Sequence, residues 1–298
     1  MQTWLVGNPE AGDEARGAPF WRERLESFGV TVDRVLQPGE LDDAGPGAGD
    51  RMLAAGGDGT VRASAVACAD AGAVLAVLPS GTANDFARSL GLDDDPDTAC
   101  RAVAEDRQVD IDLARIGRRG FVNVAHAGLG AEASRAVDDE DKQWLGQFSY
   151  AGRLFDRWRA ARGVRGRLVC DGDRYDGRWL EVGVANGAFY GGGHRIPEAA
   201  LDDGRLDVYA VRADHPVRLA WIFARVRLLG PDAVDAPPLL HRSCRRLRLE
   251  TDASMAVTAD GEDLGDTPLD IELDSGALRV VRGPGPGALT RSDVEKSQ

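Results

Sequence analysis

Two short glycine-containing segments constrain the fold of this 298-residue chain more than any other feature. They are Gly56-Gly57-Asp58-Gly59-Thr60 and Pro79-Ser80-Gly81-Thr82-Ala83-Asn84-Asp85. Each follows an apolar run that predicts a strand and precedes a stretch that predicts a helix. Strands that alternate with helices indicate a parallel sheet with crossover helices. Open sheets of this kind bind ligands beyond their strand ends, so the two segments predict one ligand site.

The chemistry of both loops suits a phosphate group. Glycine lets main-chain N–H groups approach an anion, and the start of the following helix adds a positive dipole end. Asp58 would repel phosphate, unless it faces a metal ion, a ribose hydroxyl or the acceptor hydroxyl. Taken singly, each loop is also explained as an ordinary turn or helix N-cap. Together they predict a nucleotide site made of Gly56, Gly57, Asp58, Gly59, Thr60, Ser80, Gly81, Thr82 and Asn84.

After about residue 108 the pattern changes to short apolar runs separated by Gly/Asp turns, which indicates a mainly antiparallel second domain. We predict an α/β domain over 1–115 and a β-rich domain over 116–275. A C-terminal segment, 276–298, is expected to return toward the first domain and to end in a disordered tail. Helical insertions are predicted over 133–162 and 215–229.

Composition excludes several classes of protein. The net charge of −13 argues against nucleic-acid binding and against constitutive attachment to an anionic membrane. No apolar run is long enough to span a bilayer and no signal peptide is recognised, so we expect a cytoplasmic protein with at most peripheral membrane contact. No C-x-x-C pair occurs, and we expect reduced, mostly buried thiols at Cys68, Cys100, Cys170 and Cys244.

The two loops in this order resemble the diacylglycerol kinase catalytic domain, a family that includes sphingosine kinases and bacterial lipid kinases. The second loop continues as Phe86-Ala87-Arg88, as in that family. Asn8-Pro9-Glu10-Ala11-Gly12 is similar to the family's Asn-Pro-x-Ser-Gly nucleotide loop, with Ala11 in place of serine, which adds Asn8, Pro9 and Gly12 to the predicted nucleotide site. Further matching positions are Asn186, Gly191–Gly193, Pro197, Leu201–Asp207, Asp260-Gly261-Glu262 and Thr267-Pro268.

The resemblance implies a Rossmann-like nucleotide-binding α/β domain, a C-terminal β-sandwich domain on the lipid side, and a cleft between them. It implies Glu262 as the general base and Asp58 as an essential acid at the nucleotide. It also implies a structural Mg²⁺ held by Asp203 and the main-chain carbonyls of Ala200 and Arg205. These roles agree with chemistry, because Mg²⁺ prefers oxygen ligands and a carboxylate can take the proton of an acceptor hydroxyl. Asp260-Gly261-Glu262 and the Asp203 segment are also explained as simple turns.

We therefore expect an ATP-dependent lipid kinase that uses Mg²⁺ and transfers the γ-phosphoryl group to the hydroxyl of diacylglycerol or a similar lipid. Two alternatives stay open. One is a kinase of a soluble hydroxyl substrate, because NAD kinases share the first loop, and the other is a weakly catalytic regulator that binds nucleotide or lipid. Residues 37–50 are short and rich in Gly, Pro and Asp where the family has a helix, which predicts a more open nucleotide site.

Two other segments have competing interpretations. Gly128-Leu129-Gly130-Ala131-Glu132-Ala133 fits the dinucleotide-binding pattern, but no βαβ unit surrounds it, so we assign it no such role. Trp144–Arg167 combines aromatic residues with arginines. It is expected either to touch a membrane surface transiently or to pack its aromatic side on the second domain.

Overall fold

The structure is a computed structural model that describes residues 1–7, 16–41, 44–135, 163–190, 194–195, 199–215, 217–219, 221, 238–285 and 287. The chain forms two compact units. The first unit comprises Met1–Asn123, Asn186–Arg205 and Leu273–Gln298, and the second comprises Val124–Ala185 and Leu206–Glu272. The sequence-based division at 115 and 275 stays a prediction, and the units differ from it chiefly because Asn186–Arg205 belongs to the first.

The first unit contains a parallel sheet in the order β4-β3-β1-β2, with the last part of β17 added beside β4. Its elements are β1 (Thr3–Val6), α1 (Ala18–Ser27), β2 (Arg34–Leu36), a 3₁₀ turn (Pro38–Glu40), β3 (Arg51–Gly56), α2 (Asp58–Ala71), β4 (Val74–Pro79), α3 (Asp85–Ser89), α4 (Pro96–Glu105), β5 (Gln108–Ile116) and β6 (Arg119–Phe121). The strands β3 and β4 are buried because helices cover the sheet, as in other α/β folds.

The second unit is antiparallel. Its first elements are β7 (Val124–Gly128), α5 (Leu129–Arg135), β8 (Val164–Cys170) and β9 (Asp173–Ala185). The short hairpin of β10 (Phe189–Tyr190) and β11 (His194–Arg195) follows in the chain and belongs to the first unit. The second unit continues with β12 (Leu206–Arg212), β13 (Leu239–Cys244), β14 (Arg246–Thr251), β15 (Ala256–Ala259), β16 (Glu262–Asp266) and β17 (Leu269–Val281). The strand order is β16-β15-β7-β9-β8-β14-β17, and β12 pairs with β9 and β13. The first residues of β17 pair with β14 and its last residues pair with β4.

Most predicted strands and helices are present, and the differences have physical reasons. The apolar pattern of Gly120–Ala127 predicts one strand, but the structure divides it between β6 and β7 by a bend at Val122 and Asn123. The alternation in Val30–Leu36 likewise predicts a strand, and only its last residues are paired. The strands β13 and β16 are not predicted from the sequence. For β16, Glu-Asp-Leu-Gly-Asp, the reason is that it has no apolar alternation and forms by pairing with β15.

Parts of the two predicted helical insertions lie outside the described residues. In the first, the described portion is α5, which begins earlier than predicted, at Leu129. The second is described at residues 215, 217–219 and 221 only. Among the described residues, no helix is long and apolar enough to cross a bilayer.

Candidate active site

The two glycine loops touch each other through their backbones. They leave neighbouring parallel strands at the same level, because Gly56 is paired with Pro79 and the Ser80 N–H donates to the Gly56 carbonyl at 3.2 Å. A Cβ atom added to Gly81 would lie 2.5 Å from the Cα of Gly57. Gly81 is therefore required for this approach, and the structure brings the predicted phosphate-binding segments together in one place.

The side chain of Thr60 packs against Gly56 inside the first loop. A Cβ atom at Gly56 would lie 2.6 Å from both the Cβ and the Oγ1 of Thr60, so only glycine allows this threonine to fold back over the strand end. Gly59 and Thr82 are exposed, and no other group lies within 4 Å of a Cβ built at Gly59. These two residues are the members of the paired loops most open to an incoming ligand.

Asp58 links the first loop to the helix that follows the second. Its carboxylate accepts hydrogen bonds from the main-chain N–H groups of Asp85 and Phe86, at the start of α3, and from Nδ2 of Asn123 at 3.3 Å. Burial raises the pKa of Asp58, the nearby charge of Asp85 adds to this, and the hydrogen bonds oppose it. An acid inside an anion site is thus explained, because its charge is directed at helix N–H groups.

Ser80 and Asn84 use their polar groups to shape the second loop. Ser80 Oγ accepts a hydrogen bond from Trp21 Nε1 at 2.8 Å. Asn84 is buried in a left-handed conformation, with φ of 51°. Its Oδ1 accepts from the Gly81 N–H at 3.0 Å, and its Nδ2 donates to the Gly81 carbonyl at 2.8 Å and to Asp94 Oδ1 at 3.0 Å. Both side chains were predicted to face a nucleotide, and the hydrogen bonds described for them lie within the protein.

Three residues that support these loops, Trp21, Asp94 and Asn123, are not predicted from the sequence. Asn123 is 5% exposed, and besides its bond to Asp58 its carbonyl accepts the N–H groups of Asn186 and Gly187 at 2.9 and 3.0 Å. The available signal was a polar residue inside the mostly apolar run Gly120–Ala127. Trp21 and Asp94 carry no such signal, because their partners are distant in the chain.

The predicted Mg²⁺ residues lie in a well-anchored turn of the first unit. Asp203 Oδ1 accepts the Arg205 N–H at 2.9 Å. The neighbouring Gly204 N–H donates at 2.7 Å to the buried carboxylate of Asp112, which also accepts from Gly276 at 2.9 Å. In the part of the chain that the structure describes, no three His, Cys, Asp or Glu side chains group around a metal site. A cation here would rely on one carboxylate and main-chain oxygens, and this set fits the oxygen preference of Mg²⁺.

Glu262 lies in the second unit, at the first position of β16. Asp260 and Gly261 form a two-residue turn with positive φ values of 46° and 80°, so that Ala259 pairs with Glu262. The Asp260 carboxylate accepts the Val124 N–H at 3.0 Å. The simple-turn interpretation is thus correct for Asp260 and Gly261, and the turn also fixes the position of Glu262. The cleft between the units stays a prediction.

A main-chain N–H of the Gly-x-Gly-x-x-Ala segment is bound by a carboxylate from β9. Glu181 Oε2 accepts the Gly130 N–H at 2.8 Å, and Glu181 Oε1 lies 2.8 Å from Nδ1 of His126. A carboxylate at this N–H would repel a phosphate, which argues against a dinucleotide role for the segment. Burial lowers the pKa of His126, but the hydrogen bond and charge of Glu181 and the charge of Asp260 overcome this, and the pKa is raised.

Several predicted positions lie outside the described residues. They are the nucleotide-loop residues Asn8, Pro9 and Gly12, the matching positions Gly191–Gly193 and Pro197, and most of the segment Trp144–Arg167.

The fold and the paired loops define the class of protein. The α/β unit with its two glycine loops matches a diacylglycerol kinase catalytic domain model, and the β-rich part matches a kinase β-sandwich model, which together define a phosphotransferase with an alcohol acceptor. The chain belongs to the diacylglycerol kinase catalytic domain family, whose model matches residues 2–116. Residues 123–282 match the YegS C-terminal NAD kinase beta sandwich-like domain.

Similar proteins agree over nearly the whole chain. A Pseudomonas aeruginosa protein named "Probable lipid kinase YegS-like" is 33% identical over 93% of this chain and 92% of its own length. A protein of the same name from Pseudomonas fluorescens is 35% identical over 91% of this chain and 89% of its own. The crystal structure of a diacylglycerol kinase from Bacillus anthracis str. Sterne is similar in fold, with a TM-score of 0.73, 24% identity, and coverage of 95% and 97%. The predicted family and fold class are confirmed.

Proposed function

We propose that this chain is an ATP-dependent lipid kinase that transfers the γ-phosphoryl group of ATP to the free hydroxyl of diacylglycerol or a similar lipid. The observation that carries the proposal is the backbone contact between the two glycine loops, where Gly81 approaches Gly57 too closely for any side chain. Such a contact concentrates main-chain N–H groups at the ends of two parallel strands. Phosphoryl transfer depends mostly on this kind of positioning and on charge stabilisation.

In this proposal the chain's acids have separate tasks. Glu262 accepts the proton of the lipid hydroxyl as it attacks, and the hairpin turn at Asp260 and Gly261 keeps this carboxylate at the start of β16. Asp58 holds the two phosphate loops together through the first N–H groups of α3. Gly59 and Thr82, which are exposed, face the phosphates.

Mg²⁺ would be held by Asp203 and the carbonyls of Ala200 and Arg205, and it would supply positive charge and rigidity to this turn. The turn is well prepared, since Asp112 already fixes Gly204. We expect Asp203→Asn to remove a Mg²⁺-dependent rise in the thermal unfolding temperature that the natural protein shows without nucleotide. An equal rise in both proteins would place the ion elsewhere.

The direct test incubates the purified chain with γ-labelled ATP, Mg²⁺ and mixed micelles that contain diacylglycerol or a sphingoid base, with NAD as a soluble acceptor. We expect label in the lipid fraction. Glu262→Gln is expected to lower kcat by about 100-fold or more, the contribution typical of a general base, with ATP binding preserved.

Asp263→Asn is the matched control, because Asp263 is the adjacent carboxylate and is bound to Arg135 at 2.5 Å. It is expected to retain most of the activity. Label found only in NAD would show that the acceptor is a soluble molecule and not a lipid. ATP binding without transfer to any acceptor would favour a regulator. Equal activity of Glu262→Gln and the natural protein would remove Glu262 from the base role.

A further inference from the structure

The helix α3, which follows the second glycine loop, is too short to be stable by itself. α3 has five residues, from Asp85 to Ser89, and the loop residue Asn84 precedes it directly. A helix of this length forms too few internal hydrogen bonds to offset the entropy of ordering it. Its position must therefore come from the packing of Phe86 and Ala87 in the core and from contacts at its two ends. The carboxylate of Asp58 supplies the contact at its first turn.

The other end of α3 is held by the C-terminal part of the chain. We call Gly283, Pro284, Gly285 and Gly287 the C-terminal strap. The Gly283 N–H donates to the Leu90 carbonyl at 2.8 Å, and the Gly285 N–H donates to the Gly91 carbonyl at 3.0 Å. Leu90 is the C-terminal cap residue of α3. This C-terminal part of the first unit thus contacts the end of a helix nearly 200 residues earlier in sequence.

The strap approaches this helix end so closely that only glycine fits. A Cβ at Gly283 would overlap the carbonyl of Gly91. A Cβ at Gly285 would lie 2.8 Å from the Gly91 oxygen, and one at Gly287 would lie 2.7 Å from the Ser89 oxygen. Three glycines that are each excluded from carrying a side chain by the same segment indicate a specific contact, whereas a loose tail would show no such clashes.

Hydrogen bonds also connect the segment after α3, which the C-terminal strap contacts, to the second glycine loop. Asp94, three residues after Gly91, accepts from Nδ2 of Asn84 at 3.0 Å, and the Asp94 carbonyl accepts from Arg16 at 2.8 Å. Arg88 and Asp94 also line, together with Pro284, a surface cavity of about 500 Å³. A displacement of the strap would therefore reach Asn84, whose amide shapes the loop around Gly81.

We propose that the C-terminal strap positions the second glycine loop, and that Gly283, Gly285 and Gly287 thereby set the affinity for the phosphates of the nucleotide. The strap residues are positioning residues that act through α3 and Asn84. The affinity part of this inference rests on the proposed function, while the mechanical part, that the strap orders residues 80–92, does not.

The test compares Gly283→Ala and Gly287→Ala with Gly117→Ala, a matched control in the turn between β5 and β6 of the same unit, where an added Cβ has no neighbour within 4 Å. Gly117 has a positive φ of 60°, so this control also carries backbone strain away from the C-terminal strap. Hydrogen–deuterium exchange of residues 80–92 measures the mechanical part without any substrate. We expect faster exchange there in both strap variants and unchanged exchange in the control. Gly287→Ala, which has the less severe clash, serves if Gly283→Ala does not fold. Unchanged exchange in a folded strap variant would overturn the proposal.

Kinetics test the affinity part. The KM for ATP is expected to rise about tenfold in the strap variants, with kcat within about threefold of the natural protein. The control should match the natural protein in both constants. A strap variant with lower thermal stability but the KM of the control would show a merely structural role and overturn the affinity part. Absence of ATP turnover in the natural protein would instead contradict the proposed function, and exchange would still decide on the strap.

Discussion

Replacing Gly81 by alanine is the most direct probe of the paired loops. The added Cβ would lie 2.5 Å from the Cα of Gly57 and 3.0 Å from Oδ1 of Asn84. Two carbon atoms in contact prefer about 3.5–4.0 Å, so the loops would have to separate by about 1 Å. Overpacking of this kind costs about 1–3 kcal/mol in the free energy of unfolding. A shift of about 1 Å in substrate-positioning groups can lower the rate by about 100-fold.

The assay measures kcat/KM for ATP together with urea unfolding, so that loss of fold and loss of positioning are separated. Gly81→Ala is expected to lose up to about 100-fold in kcat/KM while staying folded at the assay temperature. Gly117→Ala is the matched control, because its Cβ would have no neighbour within 4 Å and its positive φ of 60° adds backbone strain away from the loops. It should keep the natural kcat/KM.

A graded comparison sharpens the prediction. Alanine at Gly57 would place a Cβ 3.5 Å from the Cα of Gly81, which the free protein accommodates. Any loss of nucleotide affinity in Gly57→Ala without loss of stability would therefore report that a ligand approaches this backbone. A natural kcat/KM in Gly81→Ala, or an equal loss in Gly81→Ala and Gly117→Ala, would refute the steric role of Gly81.

Two further predictions concern protonation and thiols. The folded pKa of His126 is raised above 6.5 by Glu181 and Asp260, so its stabilising contribution is complete below pH 6.5 and is lost as the pH rises through the folded pKa. The difference in unfolding free energy between the natural protein and His126→Asn should therefore shrink as the pH is raised from 5.5 to 9. A difference that does not change with pH would contradict this prediction. Burial raises the pKa of Cys68 to about 12 and of Cys100 to about 11, so both thiols should resist Ellman's reagent at pH 8 until urea unfolds the chain, whereas immediate reaction in the folded protein would show them accessible.

Much of the framework of the site could be predicted from the sequence because its signals are local. Strands with continuous burial, such as β4, appear as apolar runs. The helix after the first loop, predicted over Val61–Ala71, is present and begins three residues earlier, at Asp58. The turn at Asp260 and Gly261 was likewise open to prediction, because Asp-Gly favours positive φ values. The strand β16 was missed for the converse reason, since its residues form a strand only by pairing with β15.

The direction of side chains in the site could not be predicted in this way. The Asp58 carboxylate had three possible partners in sequence terms, and the folded chain directs it to the first N–H groups of α3. Ser80 was a candidate phosphate donor, and it accepts instead from Trp21, which lies 59 positions away. Such pairings depend on packing between distant segments, which residue spacing does not encode.

By itself, the sequence determined the alternation of strands and helices, the two glycine loops at successive strand ends, and the order of motifs that assigns the chain to its family. These properties follow from hydrophobic period and turn chemistry, which act over a few residues. Only the tertiary structure decided that Gly81 contacts Gly57, that Asp58 binds the first N–H groups of α3, and that the C-terminal strap contacts the end of that helix. The reason is steric, because which glycine must lack a side chain depends on the backbone that packs against it.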